Sequence, residues 1–434
     1  MTRRCNIAGR VARSLLLLHA CLCASAVSAQ DSTATSGTYS GYASDAKSLE
    51  GGDSVTEDLS LDDVDVGGVL EFPKVESVFQ PFFDWKKRLN DRTGLQLQFS
   101  YQTLYQTTDD EKALYSDAFA GRGQIQGAWT LLNRGGENPG KLTFRLENRY
   151  KIGSEIPPSQ FGYQFGSVTP SGTGFSDFGS ALTELAWRQT LAGGKVKFII
   201  GKISAISWYN VHALSSSMRG FQNTALQSSL SKPAPGRGIG GGIGVELTPK
   251  FVVVAGIHDA NAKTTDNPFD TIGESEFYRS VEFRYYPTTP DRWRFDQVRL
   301  QFWQQDALSA KGTPASQGMT LSASRLLKDR YFVFGFGGIS DGEATLFKAD
   351  AAAGLGVAID TRHRAARDAL GVGLAWGRPS NERLREQYTG EVFWRFQLID
   401  RVALTPSFQY VRNPAANPDR EDAFIFGLRT RITF

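Results

Sequence analysis

From residue 95 to the end of the 434-residue chain, apolar and polar side chains alternate with a period of two. Successive side chains of a β-strand point to opposite faces, so this pattern predicts strands with one apolar and one polar face. In the last twelve residues one parity reads Phe424, Phe426, Leu428, Thr430, Ile432, Phe434, and the other Ala423, Ile425, Gly427, Arg429, Arg431, Thr433. Upstream, Tyr388, Gly390, Val392, Trp394, Phe396 and Leu398 alternate with Thr389, Glu391, Phe393, Arg395 and Gln397, and Asp400-Arg401 reads as a tight turn into Val402, Leu404, Pro406, Phe408 and Tyr410.

The same test gives segments near 95–105, 123–132, 141–151, 180–191, 195–203, 240–248, 251–259, 277–287, 296–306, 317–327, 330–339, 350–360, 368–377, 386–398, 401–412 and 422–434. Each approaches the ~9 to 11 residues that a tilted strand needs to cross a membrane. The expected fold is therefore all-β, a transmembrane outer-membrane β-barrel of about 16 antiparallel strands. The negative mean hydropathy does not oppose it, because lipid-facing and lumen-facing residues average out. Most of the abundant Phe, Tyr and Trp are expected on the lipid face.

The gaps between strands alternate in length. Those at 106–122, 152–179, 204–239 and 260–276 are long, whereas 192–194, 249–250, 328–329 and 399–400 are tight turns, the sorting expected when one rim faces the periplasm. An apolar last strand ending at Phe434 fits the carboxy-terminal signal of bacterial outer-membrane barrels and places that strand descending to the periplasm.

Ahead of the barrel, Arg3, Arg4, Arg10 and Arg13 precede an apolar run around Leu15-Leu16-Leu17-Leu18 and a Val27-Ser28-Ala29 cleavage site, so residues 1–29 read as a secretory signal peptide. All three cysteines, Cys5, Cys21 and Cys23, fall inside it, which excludes a disulfide scaffold and a cysteine nucleophile from the mature chain. Residues 30–76 carry eleven acidic residues against Lys47 and Lys74, lack a sustained apolar period, and read as a flexible acidic periplasmic segment. Asp62-Asp63 and Asp65 lack the glycine-centred spacing of a calcium loop. Residues 77–434, the barrel domain, then hold 42 basic and 34 acidic residues, a net charge of +8.

Three runs bear a family resemblance. Glu391-Val392-Phe393-Trp394-Arg395-Phe396-Gln397-Leu398 is followed by Leu404-Thr405-Pro406-Ser407-Phe408-Gln409-Tyr410, Asn413-Pro414, and Gly427-Leu428-Arg429 up to Phe434. Gly244-Val245 leads through Pro249 to Gly256-Ile257-His258-Asp259-Ala260-Asn261, and Trp85 to Leu95 contributes Arg88-Leu89 and Gly94-Leu95, with Lys86-Lys87 where a Gly-Gly is usual. Over about 85–434 the chain resembles the OprB-type carbohydrate-selective porins. The resemblance implies a sixteen-stranded diffusion pore with a preference for sugars, located in the bacterial outer membrane with a periplasmic amino terminus. Carbohydrate permeants and outer-membrane lipid are the implied partners, a homo-oligomer is compatible with it, and neither a nucleic acid nor a cofactor is expected.

The parity opposite the lipid face gives candidate pore residues independently of the resemblance: Arg145, Glu147, Arg149, Glu184, Arg188, Glu282, Arg284, Arg299, Gln301, Trp303, Gln305, Glu391, Arg395, Gln397, Arg429 and Arg431. Amides and Arg/Glu pairs exchange hydrogen bonds with sugar hydroxyls, and an aromatic face covers the C–H side of a pyranose. Arg299, Gln301, Trp303 and Gln305 form the sharpest cluster. The same polar residues could equally brace the wall of a water-filled pore. The gap 204–239, with Trp208, Tyr209, Arg219, Phe221, Gln222 and Asn223, is long enough to fold inward as a constriction.

Other patterns carry less. The G-x-G-x-x-G match within Gly236–Gly244 opens a strand rather than a helix, against a dinucleotide site. His212, His258 and His363 show no metal-ligand spacing. Ser215-Ser216-Ser217 near His212 leaves a lipase-type barrel enzyme as one alternative, and the basic barrel leaves a polysaccharide-export conduit as another.

Overall fold

The computed structural model describes residues 53–62, 70, 73–288, 292–358, 368–399 and 401–434. The signal peptide expected at 1–29, the acidic residues up to 52, Asp63, Asp65, His363 and Asp400 lie outside the described residues.

Among the described residues, sixteen strands follow one another. They are β1 (Leu95–Thr107), β2 (Asp117–Leu132), β3 (Gly140–Lys151), β4 (Gly179–Leu191), β5 (Val196–Ile203), β6 (Gly238–Thr248), β7 (Phe251–Asp259) and β8 (Phe277–Tyr285). Then come β9 (Gln297–Gln305), β10 (Ser316–Leu327), β11 (Tyr331–Ser340), β12 (Phe347–Ala358), β13 (Ala369–Pro379), β14 (Gln387–Ile399), β15 (Val402–Arg412) and β16 (Asp422–Thr433). Each pairs with its sequence neighbours, and β16 closes the barrel onto β1 antiparallel, from Ser100 opposite Thr433 to Thr107 opposite Phe426. Closure leaves no unpaired edge, the condition for a sheet to sit in lipid.

The alternation places side chains as the parity requires. On β16, Phe424, Phe426 and Leu428 are exposed outward while Ala423, Ile425 and Arg429 are buried inward. Ile125, Leu146, Ile200, Phe302, Leu321 and Leu374 continue the outward apolar belt, an exposed surface that calls for lipid rather than water. Among the described residues no helix is long and apolar enough to cross a membrane.

Two features depart from the sequence reading. Within the segment expected to be flexible, Val55–Asp62 forms a helix, α1. Its start is a capping pattern, in which the Ser54 hydroxyl accepts the Glu57 backbone N–H at 3.2 Å, and Val55 and Leu59, one turn apart, pack with Ala128 of β2. Four residues of local signal suffice because the barrel interior covers the apolar face. A second helix, α2 (Pro73–Thr93), precedes β1 at the short-turn rim. Phe79 packs on Phe434 and Phe82 on Phe99, at ring-centroid distances of 5.4 and 5.8 Å, and Trp129 donates its indole N–H to the Thr93 carbonyl at 3.0 Å.

The interior is also less watery than a simple pore. Phe332, Phe334 and Phe336 of β11, Phe347 of β12 and Phe393 of β14 point inward and are buried. These aromatics correct the expectation of a lipid-facing majority at this part of the wall. They face another part of the chain, which occupies part of the lumen.

Candidate functional site

Two of the long gaps fold into the barrel. The 204–237 loop is almost entirely buried, and Phe161, Phe165 and Phe175 of the 152–178 loop pack on the inward wall, the first two with Ala118, Val411, Ala423 and Ile425 and the third with Leu104 and Ala120. The inward loop has little regular structure, so its backbone groups need partners from the wall. Three wall carboxylates supply acceptors. Glu282 (β8) accepts the Asn210 N–H at 2.8 Å, and Glu391 (β14) accepts the N–H groups of Gln222 and Asn223 at 2.7 and 2.8 Å. Asp350 (β12) accepts the Ser229 hydroxyl at 2.7 Å, the Leu230 N–H at 3.0 Å and the Ser231 hydroxyl at 2.6 Å.

Wall arginines satisfy loop carbonyls in the same way. Arg284 and Arg299 donate to the Trp208 carbonyl at 2.7 and 3.4 Å, Arg395 to that of Arg219 at 3.0 Å, and Arg429 to those of Ser217 and Gly220 at 2.6 and 3.1 Å. Inward glycines make room for the loop: a Cβ at Gly242 would meet the Trp208 ring at 3.0 Å, and one at Gly373 the Leu226 side chain at 2.8 Å. The glycines of the apparent G-x-G-x-x-G run therefore belong partly to packing.

The sequence parity thus points the correct residues inward, but many of them serve the loop. Glu282, Arg284, Arg299, Glu391, Arg395 and Arg429 clamp its backbone. Gln301 donates to Tyr278 and Ser280 and accepts from Thr320, all across the wall, and Gln305 is buried on the same face at the end of β9. Trp303 faces inward as expected, yet is only 4 % exposed and packs in a cluster with Trp208, Tyr209 and Tyr278. At that exposure it offers no open ring face to the lumen, and its ring pairs with Tyr278 of β8 at a centroid distance of 6.4 Å. Gln397 donates to the Ile399 carbonyl at the short-turn end of β14, away from the loop. Arg431 is buried on the inward face of β16.

Of the loop residues singled out by sequence, Trp208, Tyr209, Arg219, Phe221, Gln222 and Asn223 all lie inside the barrel and are buried. His212 is fixed rather than reactive: its ring stacks on Phe334 at 4.0 Å, its Nε2 lies 3.0 Å from the Leu226 carbonyl, and its Nδ1 accepts the Leu214 N–H at 3.3 Å. Ser215 donates to the His212 carbonyl, not to its ring, so the geometry of a Ser/His nucleophile is not assembled there.

Of the remaining charged candidates, all on β3 and β4, Arg149 lines open space, while Arg145, Glu147 and Glu184 are buried. Glu147 of β3 binds Arg122 at 3.2 Å and Arg149 at 2.7 Å, with Arg237 at 3.9 Å, while Glu184 holds Arg188 at 2.8 Å. Arg122, Arg149 and Arg237 line a cavity of about 400 Å³ between the two inward loops, with Lys232, Ser217 and Asp53 also on its surface. Arg122, Arg237 and Lys232 were not among the sequence candidates. Arg122 does obey the parity of Gln124 and Gln126, which exposes it to the same reasoning.

Asp53 marks a further feature that the sequence pattern concealed. The acidic start of the chain enters the lumen and pairs with its arginines. Asp58 of α1 binds Arg145 at 2.9 Å and Arg219 at 2.5 Å, and accepts the Gln126 amide at 3.3 Å. Glu57 pairs with Arg294, and Asp53 accepts the hydroxyls of Ser216 and Ser217 at 2.6 and 3.1 Å.

A closed sixteen-stranded barrel with its lumen narrowed by an inward loop has known counterparts. Residues 152–434 match the carbohydrate-selective porin family OprB. The chain belongs to that family. A curated relative, porin AaxA of Chlamydia felis, is 24% identical over 282 residues, and the match spans 60% of each chain. A structure of Pseudomonas putida OprB at high pH shares the fold with a TM-score of 0.67 and 14% identity, covering 81% of this chain and 97% of that one. An engineered porin of Rh. blastica aligns with a TM-score of 0.50 at 9% identity, over 78% of this chain and all of that one. As a porin-family barrel, the chain is a channel protein rather than an enzyme, and its family and fold place it in a bacterial outer membrane.

Proposed function

We propose that this OprB-family barrel is a passive diffusion channel for mono- or oligosaccharides across the outer membrane. The carrying observation is the lining of the cavity between the inward loops, which includes Arg122, Arg149 and Arg237 together with Ser176, Ser207, Ser217 and Thr224. Such groups exchange hydrogen bonds with sugar hydroxyls as hydration water leaves, and each contact is weak enough for the permeant to move on. In this reading the short-turn rim and the amino-terminal segment face the periplasm, and the outward apolar belt takes up lipid. The loop, clamped at three wall carboxylates, favours small permeants over the polymer that an export conduit would carry.

Reconstituted in liposomes, the channel is expected to let sugars swell them faster than uncharged non-sugars of equal size. Equal rates for both classes would reduce it to an unselective pore.

A further inference from the structure

The acidic helix α1 occupies a site built from the barrel wall and the inward loop. Arg145 projects from β3 and Gln126 from β2, and the two fix each other, with the Arg145 Nε donating to the Gln126 carbonyl oxygen at 2.6 Å. Arg219 comes from the inward loop at a position whose carbonyl is pinned by Arg395. These three side chains converge on the carboxylate of Asp58, which is wholly buried. Two guanidiniums and an amide on one carboxylate make a charge-assisted binding site shaped for that group. Beside it, Arg294 receives a second carboxylate from Glu57, and the hydroxyls of Ser216 and Ser217 receive Asp53.

The occupant, by contrast, is a tethered piece of chain. It forms no part of the sheet, and beyond residue 62 the chain is next described at Leu70, whose N–H donates to the Leu398 carbonyl at the short-turn rim. A tethered ligand competes through its effective concentration and gives way to a free ligand with the same chemistry. In a carbohydrate channel the matching free ligand is a saccharide bearing carboxylates. Its acid groups replace Asp58 and Glu57 on the arginines, and its ring hydroxyls meet Gln98, Gln126, Ser216 and Ser217.

We infer that the arginine site under α1 binds uronate-type acidic saccharides, and that α1 is an intramolecular mimic of them that narrows the lumen until displaced. The inference rests on the carbohydrate-channel reading above. It explains why Glu57 and Asp58 of the acidic lead segment are buried in a cationic lumen, where an unmatched buried charge would be costly.

The test follows α1 directly. With Cys5, Cys21 and Cys23 changed to serine, Leu59→Cys places a single thiol on the face of α1 that packs with Ala128. Millimolar digalacturonate is expected to raise its labelling rate by a water-soluble thiol reagent about fivefold or more, as displacement of a competing tethered ligand requires. The neutral disaccharide maltose at equal concentration is expected to leave that rate unchanged. A rate indifferent to digalacturonate, or raised equally by maltose, overturns the inference. The assay keeps every arginine and carboxylate of the site, so it does not depend on a charge variant folding. In the full chain, Glu57→Gln with Asp58→Asn should raise single-channel conductance, and an unchanged conductance overturns the narrowing by α1. Maltose flux through liposomes without any digalacturonate effect at position 59 sinks this inference alone. Exclusion of both sugars from liposomes sinks the channel reading itself.

Discussion

Removing one wall carboxylate should free one third of the inward loop. Asp350 is the strongest choice, because its two oxygens accept three groups of the loop, the hydroxyls of Ser229 and Ser231 and the N–H of Leu230. Asp350→Ala leaves these donors in a buried setting without their acceptor. Each such bond contributes about 1 to 2 kcal/mol, and discounting for donors that share one acceptor gives a net cost of about 3 kcal/mol. That corresponds to a shift of about a hundredfold in the equilibrium between docked and released loop. Glu282 and Glu391 still clamp Asn210, Gln222 and Asn223, so the barrel should stay folded while the stretch near Leu230 opens locally. Single-channel recording is expected to show a noisier and larger current, and limited proteolysis a new cut within 204–237. If current and protease resistance both match the parent protein, the wall carboxylates do not hold the constriction.

Two further outcomes follow from the packing and charge of the same loop. Gly256→Ala would place a Cβ on the Tyr209 hydroxyl, and overpacking of this kind costs about 1 to 3 kcal/mol, so the thermal midpoint should fall and be restored by adding Tyr209→Phe. A midpoint that falls without rescue would locate the strain elsewhere. Burial pushes the Lys232 ammonium down to about 8, against the pull of Glu282 and Asp350. Lys232 is therefore cationic below that pH and neutral above it, and the anion preference read from reversal potentials in a KCl gradient should decline as pH rises through 8. Lys232→Gln should flatten that step, and a step that survives the substitution would assign it to another group.

The sheet was readable because strand geometry writes itself into parity. Every strand lies within a few residues of its alternating segment, and β2 departs furthest, beginning at Asp117 where small residues such as Ala118 and Ala120 weaken the contrast between faces. Parity also gave the inward direction of Arg145, Glu282, Glu391 and Arg429. It could not show what those side chains meet, since the partners of Glu391 are backbone N–H groups some 170 positions away in an irregular loop. Trp303 illustrates the same limit: its direction follows from period two, but its burial in one apolar cluster with Trp208 and Tyr209 of the distant loop is placed there by no local pattern. The helix α1 was hidden by composition. Its capping residues Ser54 and Glu57 and the Val55/Leu59 spacing are visible in the sequence, but the surrounding Asp and Ser residues read as solvated chain until the lumen arginines supply their counter-charges.

The most direct measurement is the block of ion current through single channels by added sugar. A carbohydrate channel predicts that maltose, entering the arginine- and serine-lined cavity, lowers the current in a saturable, concentration-dependent way, whereas an ethylene glycol oligomer of equal size lowers it only in proportion to bulk conductivity. Identical, non-saturating effects of the two solutes would contradict a carbohydrate site in the lumen.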